Sequence, residues 1–136
     1  MNNLLTAIVT KTIGSNLYNY LGGRIYLDQA PDGCDFPYCV FFIVSGTPDK
    51  TFTEHYTDTL IQFSLFSTSL GAAEITTMYA DLTALFDECS LSPTGSTLVW
   101  MREQNLTTMF EDITTPEGTV GCRHWAVDFE IKTSLN

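Results

Sequence analysis

The chain has 136 residues with 16 acidic and 6 basic side chains, a formal charge of −10. That balance excludes a general nucleic-acid coat, which needs clustered Lys and Arg, and argues against an anionic membrane surface. At this length one domain, residues 1–136, is expected, with enough chain to bury an independent core.

Asn2 or Asn3 can cap a first helix running to about Ile13, with Leu4, Leu5, Ile8, Val9 and Thr12 on one side at helical spacing. Met1 to Leu5 has no basic stretch leading into an apolar core, so no secretory signal is read there. Gly14 breaks the helix. Ser15 caps a shorter turn through Leu21 that turns Leu17 and Leu21 to the core. Gly22-Gly23 closes it, and Arg24–Leu27 is a short strand. Ala30-Pro31-Asp32-Gly33 is a turn by its proline and Asp-Gly pair. Pro37 then leads into Tyr38–Val44, an apolar run that is too short to span a bilayer and reads as a central strand buried on both faces.

These pieces carry a resemblance. "GGRIY" at Gly22–Tyr26, "AP" at Ala30-Pro31, "FPYCVF" at Phe36–Phe41 and "SGTPD" at Ser45–Asp49 stand in the order and spacing of the tail-terminator (tail-completion, head–tail joining) proteins of long-tailed bacteriophages. The chain resembles that family over most of its length, to about Glu130. The resemblance implies a non-enzymatic protein of the virion's tail and neck region, made in a bacterial cytoplasm. It implies a ring of six copies that caps the tail tube and stops its growth. The implied partners are other copies of the chain, the major tail tube protein and a head-completion or connector protein, with double-stranded DNA passing through the channel without specific binding. No membrane and no cofactor are implied. Two other readings stay open: a head-side connector-completion protein, and a small cytosolic hydrolase or ligand-binding domain.

Asp49–Tyr56 is polar with two lone aromatics, and reads as a loop or a projecting hairpin tip. Thr57–Ser67 is a strand with Ile61, Phe63 and Leu65 on one side and Leu60, Gln62, Ser64 and Phe66 on the other. Thr68 or Ser69 caps a second long helix, about Leu70 to Glu88, whose stripe is Ile75, Met78, Tyr79, Leu82, Leu85 and Phe86. A loop with Pro93 and Gly95 follows. Thr97–Gln104 and Leu106–Ile113 are strands broken near Asn105, and Pro116-Glu117-Gly118 is a turn. The last strand, Val120–Thr133, puts Trp125, Val127, Phe129 and Ile131 inward and His124, Asp128 and Glu130 outward. The fold class is therefore α+β: a largely antiparallel or mixed sheet of four to five strands with two main helices on one face.

Little in the chain reads as chemistry. Cys34, Cys39, Cys89 and Cys122 form no C-x-x-C pair and are expected to be reduced thiols. Cys122 and His124 could share a metal but lack a second ligand pair. His55 has no nucleophile motif near it, and the neighbouring carboxylates sit as solvated faces. Arg24 is either a half-buried ion pair, with Asp28 or another acid, or a pair between ring subunits. The remaining candidates concern assembly. Phe42 and Val44 would lie on a second sheet face that needs a partner, and Phe52, His55 and Tyr56 on an exposed excursion from Lys50 to Asp58. Asp81, Asp87 and Glu88, or Asp128 and Glu130, are the candidate acids for a channel wall.

Overall fold

A computed structural model describes residues 2–50, 53–116 and 118–135, and for Asn2 and Thr115 the backbone only. The elements run α1 (Asn2–Thr12), α2 (Asn16–Tyr20), β1 (Ile25–Leu27), β2 (Tyr38–Lys50), β3 (His55–Ser67), α3 (Ala73–Phe86), β4 (Ser96–Thr115) and β5 (Gly118–Leu135). The strands form one five-stranded sheet in the order β1-β2-β3-β5-β4. β1 pairs with β2 in parallel, and every other pairing is antiparallel. The fold is α+β with a mixed sheet, as expected.

The helices cover one face of that sheet. Leu4 and Ile8 of α1, Leu17 and Leu21 around α2, and Ile75, Met78, Leu82 and Phe86 of α3 join a single core. Cys39, Phe41, Ile61, Phe63, Leu65, Val127, Phe129 and Ile131 meet them from the sheet. Four aromatic rings lie at its centre: Phe63 touches Phe41, Phe86 and Phe129 at centroid distances of 5.4, 5.0 and 5.6 Å. The inward set expected for the last strand is the observed one, with Trp125 half-buried against Tyr79.

Local chemistry explains the boundaries. The Ser15 hydroxyl accepts from the Tyr18 N–H at 3.1 Å and starts α2. Gly22 and Gly23 both take positive φ, 60° and 81°, which turns the chain from α2 into the sheet edge. The Pro31–Gly33 turn closes with Cys34 N–H on the Pro31 carbonyl.

Several expectations are corrected. Asp49–Tyr56 is not a loop for most of its length: β2 runs on to Lys50 and β3 starts at His55, paired through Asp49↔Tyr56 and Lys50↔His55. Its polarity reflects an exposed sheet edge: β1 pairs with β2 only from Cys39 to Phe41, and from Val44 to Lys50 the strand is exposed on both faces. The break near Asn105 is a bulge at Glu103/Asn105 within one strand, with a second at Leu98/Trp100. β2 is next to an edge strand and not central; β3 takes the middle. Only Cys39, Val40 and Phe41 of β2 are buried, so burial on both faces does not extend to Phe42–Val44. Neither Thr68 nor Ser69 caps α3. Its N-cap position is Ala72 with no side-chain bond, and Ser67 instead donates to Glu74 in the first turn at 2.6 Å. Asn3 lies inside α1 and donates its amide to the Thr94 carbonyl. Val9, expected inward, is exposed.

Candidate functional site

Opposite the helices the sheet has no covering element, and its side chains stand in rows set by register. One row is aromatic: Phe36, Tyr38, Phe66 and His124 follow one another at centroid distances of 5.0, 4.8 and 4.3 Å. His124 Nδ1 lies 3.2 Å from Glu111 Oε1, while its buried Nε2 has no hydrogen-bond partner among the described residues. The next row is small, with Val40, Ser64 and Ala126 buried below the taller rows beside them. Then come Phe42, Gln62 and Asp128, with the Gln62 amide donating to Asp128 at 2.9 Å. Further along, Lys132 lies 3.4 Å from Asp49, 4.0 Å from Asp58, and over the rings of Tyr56 (4.9 Å) and Trp100 (5.1 Å).

Two hairpins lie at opposite ends of the sheet, and the second continues past it as a two-stranded ribbon, whereas β3 stays paired with β5 up to Tyr56↔Ser134. The β2–β3 hairpin carries Asp49, Lys50 and His55. The β4–β5 hairpin runs past Ser67↔Arg123, where β3 stops pairing. In this ribbon, the arm, Phe110 is 64 % exposed yet held: a side chain at Gly121 would meet its ring at 2.4 Å, and the Arg123 guanidinium sits 5.4 Å from the ring centre. The arm and the 30–36 loop bound a cleft of about 720 Å³ lined by Pro31, Phe36, Tyr38, Ile113 and Pro116 among others.

The structure separates the sequence candidates. Arg24 donates Nε–H to the Pro37 carbonyl at 2.9 Å rather than to Asp28. Asp28 sits at positive φ with its N–H on the Phe41 carbonyl. Phe42 is half-buried on the uncovered face. Val44 does not share its row: β2 bulges between Ile43 and Ser45, leaving Val44 as the extra, exposed residue. His55 is exposed at the hairpin. Tyr56, expected to be exposed, is half-buried beside Lys132, and Phe52 lies outside the described residues. The two acid sets lie on different faces. Asp128 and Glu130 are on the uncovered sheet face, and Asp81, Asp87 and Glu88 are on or just after α3. Asp87 accepts the Glu103 N–H, and Glu88 lies 3.7 Å from Arg102.

The sequence reading missed the aromatic row, the Lys132 cradle and the seat of Phe110. The first two depend on register between strands far apart in sequence, for which no short motif exists. Gly121 in a strand interior was a usable signal, since a glycine there often marks a close approach.

Burial makes three of the thiols poor nucleophiles. All four are free, and burial raises Cys39, Cys89 and Cys122 above the ordinary thiol range. Among the described residues no group of three or more His, Cys, Asp or Glu could hold a metal. None of the helices is long and apolar enough to cross a membrane.

The fold defines a small α+β protein with one aromatic-rich sheet face that no described helix covers and one projecting β-ribbon. Solved chains share that shape. A chain from the virion of a native gene transfer agent (GTA) particle superposes with a TM-score of 0.72 at 14 % identity, over 93 % of this chain and 91 % of that one. A second solved chain, known only by a sequence identifier, matches with a TM-score of 0.55 at 11 % identity, over 96 % and 94 %. No protein-family model matches the sequence. No curated protein matches it.

Proposed function

We propose that this chain is a structural virion protein that caps a phage tail tube as a ring of six copies, ends tail polymerisation and presents the surface on which the head connector docks. The observation that carries the reading is the fold shared along almost the whole chain with a chain of a gene transfer agent virion. The tail-terminator-like pieces support it. "GGRIY", "AP" and "FPYCVF" fold together as one sheet edge, comprising the end of α2, β1, the 30–36 loop and the start of β2. The mechanism is steric: one rim fits the last tube ring, and the other presents no further tube-like surface. The partners are the chain itself, the tube protein and the connector, with DNA passing through the bore.

Electron microscopy of particles assembled without this protein tests the reading. Tails of uncontrolled length with heads left unjoined are expected. Tails of normal length beside unjoined or leaking heads would instead favour a head-side connector-completion role. Normal joined particles would remove both.

A further inference from the structure

The two edges of the sheet are free, and they match. β1 covers β2 only from Cys39 to Phe41 and leaves its own outer edge unpaired; β4 ends the other side. Natural sheets guard exposed edges with bulges, charge or extreme shortness. The first half of β4 is so guarded, by bulges at Leu98/Trp100 and Glu103/Asn105 and by Arg102. From Leu106 to Thr114 it has no bulge, no proline and no basic residue, and it displays Met109 and Phe110. Its charges are the acids Glu111 and Asp112 alone, so this regular stretch is closed to most strands but open to one that brings a base.

We propose that this stretch pairs with β1 of a second copy of the chain, so that the sheet continues from one subunit to the next. The proposal rests on the ring reading and names its contact. Direction is the first argument. β2 and β5 run one way and β3 and β4 the other, and β1 is parallel to β2. Rotating a copy about an axis along the strands therefore brings its β1 antiparallel to β4. Such a head-to-tail contact is the kind that closes rings.

Register is the second argument. Following the pairing across the sheet puts Tyr26 level with Val40, Ser64, Ala126 and Thr107. A closed, tilted sheet requires a stagger between neighbours. A shift of about two residues, the least that keeps each side chain on its own face, sets Arg24 opposite Glu111 and Tyr26 opposite Met109. All four lie on the uncovered face. On the other face, Ile25 comes opposite Phe110, and Leu27, exposed in the single chain, opposite Thr108 and diagonal to Phe110. Charge is the third argument. Arg24 has a backbone carbonyl as its hydrogen-bond partner, and the half-exposed Glu111 has His124 Nδ1 3.2 Å away but no arginine or lysine paired with it among the described residues. Opposite charges set directly across two antiparallel strands stabilise the pair.

Native mass spectrometry of the purified full chain over a concentration series tests this, using Arg24→Glu, Glu111→Arg and the two combined. Circular dichroism controls for folding. The wild type is expected to form oligomers. Each single exchange should weaken them at least tenfold, and the combination should restore most of the loss. If Arg24→Glu fails to fold, Glu111→Arg and a Met109→Lys variant on the exposed ribbon carry the test, both expected to dissociate the oligomer. Oligomers indifferent to these changes, a combination no better than the singles, or a wild type monomeric at every concentration would overturn the pairing. The ring reading fails separately, through tail length in particles that lack the protein.

Discussion

Tyr79 belongs to the apolar stripe of α3 and Glu103 to an unremarkable stretch of β4, yet their polar ends tie the two elements together. The tyrosine hydroxyl donates to the carboxylate, 2.5 Å from Oε2. That bond, with burial and the negative charge of Glu103 behind it, raises the tyrosine from 10.0 to about 12. Because the folded value lies above the unfolded one, the stabilisation is complete below pH 10 and is lost as pH rises towards 12. Tyr79→Phe should cost about 0.5–1.5 kcal/mol near neutral pH. In urea unfolding, the gap between variant and wild type should close across that alkaline window; a gap independent of pH would mean that the bond contributes nothing. Gly121 is a second residue-scale device. Gly121→Ala pushes a methyl into the Phe110 ring, whose tip is free to swing away, so stability should fall by less than about 1 kcal/mol. Phe110 should nevertheless leave its seat, visible as a shift of its ring resonances. Unchanged ring resonances would count against the seat.

At the scale of elements, the amphipathic segments were legible and the polar ones were not. The stripe Ile75–Phe86 and the alternation Trp125–Ile131 identify their elements because burial imposes the period of the backbone on the side chains. Phe129 shows the consequence: fully buried, it packs against Phe63 and Phe86. Phe129→Ala should destabilise by about 3–5 kcal/mol in chemical denaturation; a loss below about 1 kcal/mol would remove it from the core. The segment Ser45–Lys50 escapes such reading, because a sheet edge exposed on both faces imposes no period. Bulges at Val44 and near Asn105 also put alternation out of phase, which made one strand read as two and put Val44 on Phe42's row. The candidate site was legible in the same uneven way. Arg24, Phe42 and Tyr56 could be singled out, but the partners that give them meaning, Pro37, Gln62 and Lys132, lie elsewhere in the sequence. For the β2–β3 hairpin, replacing Phe52 and Tyr56 together by serine should leave the fold intact, apart from the loss of the Tyr56–Lys132 contact, and weaken tail capping. Normal tail lengths and infectivity in that variant would end the hairpin's role.

For the whole molecule, charge is the question. In the proposed ring, six copies, the number that the tail-terminator resemblance implies, would bring together about −60. Basic walls would hold DNA by phosphate contacts, whereas acidic walls let it slide, within a screening range of about 8–10 Å. Asp128 with Glu130, and Asp81 with Asp87 and Glu88, lie on different faces of the subunit, so one set at most would face the bore of such a ring. Lysine throughout the bore-facing set should slow DNA ejection, most at low salt, with tail length unchanged. Lysine at the other set should not. Equal ejection rates in both variants and wild type would leave the acids a solubility role alone.

The position of β5 in the sheet has a further consequence, for the order in which the molecule comes into being. The ribosome delivers β1, β2, β3, the helices and β4 before β5, yet β5 is the strand that lies between β3 and β4. Until it emerges, β4 has no place beside β3, and the greasy inner surface of α3 faces only part of its floor. A nascent chain halted in the turn after β4 holds the proposed pairing edge Leu106–Thr114 but no scaffold to present it. On that proposal, competence to join other copies would arrive together with completion of the sheet, and prematurely ended chains would be kept out of assembly by their own topology.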